Sequence, residues 1–252
     1  NVMANYKMII SYDGTRYKGW QILGNSDMTI QGKLTHVLST LAGAPVEVIG
    51  SGRTDAGVHA LGQVANVHMT WNGTNEALLQ KINGFLPEAI AVLSVEEVEE
   101  RFHSRYHATA KTYRYRIYTS VVPDVFARRY VYTYLDAPLD LAAMRKAAQI
   151  LVGTHDFMAF CGNRRMKKST VRTIYSIHMK EQDGEVILDY CGDGFLQNMV
   201  RILTGTLIEV GTGRIPVSAM EEILKSRDRA KAGYTAPPQG LCLMKVQYDF
   251  SE

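Results

Sequence analysis

The apolar residues of this chain change their spacing repeatedly along its length, and the order of those changes narrows the fold more than any single residue does. YKMIISY (Tyr6 to Tyr12) alternates as a half-buried strand does, and the following DG ends it in a turn. TIQGKLTHVLSTL places Ile30, Leu34, Val37, Leu38 and Leu41 on one helical face, with Gly43 and Pro45 closing it. VEVIGSG and QVANVHM read as two further strands. NEALLQKIN reads as a short helix ended by Gly84 and Pro87, and AIAVLSVEEV as a fourth strand.

A comparable order follows without any repetition of sequence. KTYRYRIY (Lys111 to Tyr118) alternates strictly, and LDLAAMRKAAQILVG is an amphipathic helix ended by Gly153. VRTIYSIHM and EVILDYCG predict a hairpin turning at Asp183 and Gly184. GFLQNMVRILTGTLIEVG is apolar nearly all round and predicts a buried helix over 194–211; VSAMEEILKS follows as a helix and LCLMKVQY closes as a strand. The expected fold class is α+β: two similar subdomains, each a largely antiparallel sheet with helices packed on one side, joined around a central cleft. The expected division is at Ser104, with subdomains 1–104 and 105–252.

With 252 residues, 46% of them hydrophobic and 21% charged, the chain can bury one large or two modest cores. No apolar run reaches the roughly 18 residues that crossing a bilayer takes. NVMANYK lacks the charged, apolar, small-residue order of a secretion signal, and Asn1 and Val2 read as additions ahead of a native Met3. Cys161, Cys191 and Cys242 are odd in number and far apart, with no CxxC pair and no histidine at ligand spacing. A reduced, cytoplasmic setting without a disulfide framework or zinc site is the expectation.

Residues 1–104 carry 7 basic against 10 acidic side chains, net −3, and residues 105–252 carry 21 against 15, net +6. The positive charge is clustered: Lys111, Arg114 and Arg116; Arg128 and Arg129; and Arg164, Arg165, Lys167, Lys168 and Arg172 in NRRMKKSTVR. Tyr113, Tyr115 and Tyr118 lie among the first group. Cations interleaved with aromatic rings suit a polyanion with bases to stack, so nucleic acid is the expected partner. A single such cluster would be read equally well as a solvated face.

One stretch carries chemistry. In GSGRTDAGVHALGQV (Gly50 to Val64), Gly52 and Gly57 bracket Arg53, Thr54 and Asp55 between two strands, so the backbone is free to turn tightly and present the aspartate at a sheet edge. Such a carboxylate could be a nucleophile, a general base, or a turn residue bonded to its own backbone. Arg53 could keep it ionised, or be an ordinary surface charge. The absence of a second carboxylate nearby in sequence argues against a glycosidase, which needs two.

GRTDAGVHA resembles the signature of the tRNA pseudouridine synthase A family, and six further stretches match in the family's order: YDGTRYKGWQ, TIQGKL, ATAKTYRYRIY, TVRTI, FLQNMVR and APPQGLCL. The resemblance spans nearly the whole chain. It implies isomerisation of uridine to pseudouridine in tRNA, at positions 38 to 40 of the anticodon stem-loop, with no cofactor and no metal. It also implies a homodimer in which one tRNA contacts both subunits.

Carried over by motif, Asp55 is the expected catalytic aspartate, either attacking C1′ or removing a sugar proton. Arg53 is the arginine expected to help draw the nucleotide out of its stack, which any chemistry at C1′ requires. Tyr113 is the expected stacking partner of the uracil, Arg201 the expected ion-pair partner of the aspartate, and Leu243 a weaker candidate for the pocket wall. Lys111, Arg114, Arg164, Arg165, Lys167 and Lys168 are candidate RNA contacts. His59 reads as structural, and His103 and His107 lack a third ligand. The rival readings are an RNA binder that does no chemistry, the same chemistry on a different RNA site, and a glycosidase.

Overall fold

The computed structural model describes residues 2–249. Along the chain the elements are β1 (Met3–Tyr12), α1 (Ile30–Ala42), β2 (Val48–Gly50), β3 (His59–Thr70), α2 (Asn75–Phe85), β4 (Ile90–Val98) and β5 (Ala110–Tyr118). Then come β6 (Tyr132–Thr133), α3 (Leu141–Leu151), β7 (Gly153–Asp156), β8 (Val171–Gln182), β9 (Glu185–Gly192), α4 (Met199–Gly211), α5 (Ala219–Ser226) and β10 (Leu241–Gln247). The chain is an α+β protein of two compact units. One holds the described residues up to Thr109 together with those from Cys242 onward, and the other spans Ala110–Leu241.

In the first unit β1 runs antiparallel to β3 on one side and to β4 on the other. β2 lies antiparallel along the far part of β3, with Val48 opposite Val67, and β10 joins the near end of β3 in parallel, with Cys242 opposite His59 and Leu243 opposite Ala60. The alternation read in β1 puts Tyr6, Met8, Ile10 and Tyr12 in the core. Thr29 caps α1 by accepting from the Gly32 amide, and Gly43 ends the helix with φ +71. Thr74 caps α2 in the same way through the Ala77 amide. The two helices touch each other, α1 also meeting β2 and α2 meeting β4, so both cover one side of the sheet.

The second unit is an antiparallel series β5, β9, β8, β7, with the two-residue β6 beside β5. Gln182 and Glu185 face each other across a two-residue turn in which Asp183 (φ 53) and Gly184 (φ 78) both have positive φ. This is the turn geometry whose twist suits a hairpin. α3 packs on α4, α5 and β8, and α4 packs on β5.

Three differences from the sequence reading matter. The helix expected over 194–211 begins at Met199, because Asn198 adopts a left-handed conformation (φ 59) and the preceding residues form turns. Arg201 therefore sits in the first turn of α4 rather than in its middle. The last strand, grouped by sequence position with the second half, pairs with β3 in the first unit, and the units part after Thr109 rather than at Ser104. β6 and β7, two and four residues long, went unread because neither is long enough to show a period. Among the described residues no helix is long and apolar enough to cross a membrane.

Candidate active site

The loop between β2 and β3 carries Asp55, half-buried, with Arg53 exposed beside it and Thr54 buried between them. Its backbone is fixed at successive points. The Ser51 amide donates to the Val64 carbonyl at 2.8 Å, the Trp20 amide to the Thr54 carbonyl at 3.1 Å, the Val58 amide to the Asp55 carbonyl at 3.1 Å and the Gly57 amide to the Tyr17 carbonyl at 3.3 Å. Side chains add to these: the Tyr12 and Thr54 hydroxyls are 2.7 Å apart, and the Gln63 amide nitrogen donates to the Gly52 carbonyl at 3.1 Å.

The segment Tyr12 to Gln21 forms the seat of this loop. Gly19 has φ +93, and a Cβ on it would lie 2.7 Å from the Thr54 carbonyl oxygen. A Cβ on Gly14 would come within 2.0 Å of the Val58 carbonyl oxygen. Both glycines are thus required by the close passage of backbone over backbone. Trp20 is buried against Gly50, where a Cβ would meet the indole at 2.7 Å. The stretches YDGTRYKGWQ and GRTDAGVHA are accordingly two halves of one local structure.

His59 is buried, and its Nδ1 accepts from the Gly14 amide at 2.9 Å; Asp13 lies 3.4 Å from the same nitrogen. An amide N–H can only donate, so Nδ1 is the acceptor in its contact with Gly14. This agrees with a structural histidine. Leu243 is buried in β10 opposite Ala60, placing it on the strand beside the one that follows the Asp55 loop.

In the second unit Tyr113 and Tyr115 project from the same face of β5, as a period of two requires. Tyr113 is half-buried, with Phe195 edge-on to its ring at 5.3 Å between centroids. Tyr115 is buried and donates its hydroxyl to the Pro237 carbonyl at 2.7 Å. Burial pushes its phenol far above the ordinary range, so it stays neutral and serves as a donor. Gly240 lies against the Tyr115 ring, leaving no room for a Cβ.

Arg201 is half-buried, and its Nε donates to the Ala236 carbonyl at 2.8 Å while the Ala236 amide donates to the Arg201 carbonyl at 3.0 Å. The segment 233–236 lies flat along α4. A Cβ on Gly205 would fall 1.8 Å from the Tyr234 carbonyl oxygen, and the Gly233 amide donates to the Thr206 hydroxyl at 2.8 Å. Main chain and side chain of Arg201 are thereby held by the strand of residues that leads into APPQGLCL.

The basic candidates separate into two groups. Arg114 forms a bidentate pair with Asp189 at 2.8 and 3.0 Å, and Lys111 is half-buried on the same strand. Arg164, Arg165, Lys167 and Lys168 are exposed on the segment between Cys161 and Thr170. Among the described residues no three His, Cys, Asp or Glu side chains gather as a metal site would require. The sequence reading missed Tyr12, Gly19, Gln63 and Phe195. Tyr12, Gly19 and Phe195 lie in the matching stretches and Gln63 just beyond one, but nothing in the spacing ties Tyr12 to Thr54 across 42 positions.

A family model described as tRNA pseudouridine synthase matches residues 8–107 and 147–249, which include the Asp55 loop, α4 and β10. The chain is 48% identical over 246 residues to a tRNA pseudouridine synthase A of Bacillus sp. (strain KSM-64), covering 98% of this chain and 100% of that one. Over the same length and coverage it is 45% identical to tRNA pseudouridine synthase A 1 of Clostridium tetani and 44% identical to tRNA pseudouridine synthase A 2 of Bacillus anthracis. With seven motifs in order, a presented aspartate and relatives of this closeness along the whole length, the chain belongs to the tRNA pseudouridine synthase family.

Proposed function

We propose that this protein isomerises uridine to pseudouridine in the anticodon stem-loop of tRNA, at positions 38 to 40. The observation that carries the reading is the half-buried Asp55 on a loop whose flanking backbone is bonded at Gly52, Thr54 and Gly57. A carboxylate held this way can meet a reacting carbon without reorganising, and one carboxylate is all the reaction asks for.

In the proposed reaction the N1–C1′ bond breaks, the uracil turns within the pocket, C5 bonds to C1′, C5 loses its proton and N1 gains one from solvent. Atoms balance without oxidant, cofactor or metal. Asp55 either displaces N1 by bonding to C1′ and is itself displaced when C5 bonds there, or takes a sugar proton and returns it as C5 bonds to C1′; both routes begin from the carboxylate. Arg53, exposed beside it, is assigned to holding the nucleotide out of its stack. Tyr113 is assigned to stacking on the uracil, Leu243 to the apolar wall, and Arg201 to pairing with the aspartate.

Arg164, Arg165, Lys167 and Lys168 are assigned to the phosphate backbone, where contacts position without reading sequence. Acceptance of neighbouring uridines fits recognition by shape and backbone. Lys111 and Arg114, the latter paired with Asp189, are assigned to the same backbone. The proposal extends to a homodimer working on tRNA in the cytoplasm.

The test is to treat an unmodified tRNA transcript with the protein and map pseudouridine by carbodiimide adducts and primer extension. Stops at positions 38 to 40 are expected. Stops elsewhere would move the assignment to another RNA site, and a bound but unmodified transcript would favour a non-catalytic RNA binder.

A further inference from the structure

Gln63, next to last in the stretch that carries Asp55, is fully buried together with Ser51. Tyr12 and Thr54 are 3% and 6% exposed, so the four polar side chains meet in a water-poor place directly beneath the loop. Among the described residues every buried side-chain nitrogen and oxygen has a hydrogen-bond partner, so this group is satisfied internally.

The orientation of the Gln63 amide follows from groups that can act in one sense only. The Val64 amide donates to Gln63 Oε1 at 3.1 Å, which fixes that atom as the oxygen. The Gly52 carbonyl accepts at 3.1 Å, which fixes the other as the nitrogen. Ser51 then donates its hydroxyl to Oε1 at 2.5 Å. The second hydrogen of Nε2 points at the Tyr12 hydroxyl 3.5 Å away, and that hydroxyl, keeping its own hydrogen, shares a 2.7 Å hydrogen bond with Thr54 Oγ1 in which either can donate. Burial raises the Tyr12 phenol far above its ordinary range, so that hydrogen is never lost near neutral pH.

We propose that Gln63 is a positioning residue for the reaction, fixing the backbone at Gly52 directly and the Thr54 side chain through Tyr12, so that Arg53 and Asp55 are presented in one arrangement. The two anchor points flank Arg53, and the second immediately precedes Asp55. β3 supplies Gln63 and β1 supplies Tyr12, so the loop is registered against the sheet rather than against its own turn. A buried network of this kind gives rigidity only while each member is satisfied. This inference rests on Asp55 being the reacting carboxylate.

Gln63→Met keeps size and burial but removes both ends of the amide. The test compares wild type, Gln63→Met, Tyr12→Phe and Asp55→Ala in single-turnover tritium release from C5-labelled tRNA with enzyme saturating, alongside tRNA Kd and thermal melting. Gln63→Met is expected to remain folded, to bind tRNA within about twofold of wild type, and to turn over about ten- to a hundredfold more slowly. A wild-type rate per folded molecule, or a loss confined to Kd, would overturn the proposal. Should Gln63→Met fail to fold, Tyr12→Phe decides: a drop of at least about threefold at unchanged Kd supports the positioning role, and an unchanged rate removes it. Turnover by Asp55→Ala at the wild-type rate would instead remove the underlying reading of the site.

Discussion

The hydroxyls of Tyr12 and Thr54, 42 residues apart, meet at 2.7 Å inside the core and tie the loop bearing Asp55 to the first strand. β1 changes register against β3 between Ile10 and Tyr12, where Ile10 faces Gln63 and Tyr12 faces Ala60. The extra residue lies in β3, between Ala60 and Gln63, while β1 keeps its alternation and so keeps Tyr12 buried beside Ile10. A loop that would otherwise be a mobile surface turn is in this way held by the same residues that build the core.

Gly19→Ala tests the close passage of the two motif segments. Its φ of +93 and the 2.7 Å approach of a Cβ to the Thr54 carbonyl oxygen make alanine unfavourable on both counts. A loss of about 1–3 kcal/mol in urea unfolding is expected, with slower turnover at temperatures where the variant is folded. Stability and rate both equal to wild type would show that the loop does not depend on this seat.

Gly205→Ala tests the corresponding seat in the second unit. The added Cβ would fall 1.8 Å from the Tyr234 carbonyl oxygen, so residues 233–236 must lift from α4 or the helix must shift. A loss of about 2 kcal/mol or more is expected from overpacking, with weakened hold on Arg201 through Ala236. Chemical denaturation of the variant would expose an error here as unchanged stability.

Arg201→Ala tests the assignment of that guanidinium to the aspartate. Turnover is expected to fall about a hundredfold or more, while tRNA affinity changes by less than about tenfold. Arg201→Lys should recover little, because a lysine retains charge but not the planar fork that donates at several points. Near-normal rates in Arg201→Ala would remove it from the reaction.

Asp156 offers a test by pH that is independent of RNA. Burial raises its pKa, but bonds from the Thr170 hydroxyl and the Met158 amide and the nearby Arg227 guanidinium outweigh this and hold the carboxyl below its ordinary value. A depressed folded-state pKa contributes stability that is present above the unfolded value, about 3.9, and lost as pH falls through the folded one. Asp156→Asn should therefore be less stable than wild type at pH 7, with the difference shrinking as pH falls below about 4. A difference that grows on acidification would mean the sign is wrong.

Much of this could be read from residues near one another in the chain. The glycine bracket around Arg53, Thr54 and Asp55 announced a tight turn, and Asp183 with Gly184 announced the hairpin observed between β8 and β9. Long-range partners could not be read the same way. Gln63 looked like one more residue of an alternating strand, and its bond to Gly52 depends on two segments folding back on each other. α4 begins later than the sequence predicts because the apolar Phe195 and Leu196 lie just ahead of Met199 and Val200, while the left-handed conformation of Asn198 between them leaves no mark on hydrophobic periodicity. β10 was placed with its sequence neighbours because the pairing of Cys242 with His59, from opposite ends of the chain, has no local signal.

Asp55 is assigned as the carboxylate that carries out the isomerisation, and tritium release from tRNA labelled at uridine C5 reads that role out. Wild type should release tritium, whereas Asp55→Ala and Asp55→Asn should release none while binding tRNA within about tenfold of wild type, or ~1.4 kcal/mol. Release by either variant at a rate comparable to wild type would contradict the account.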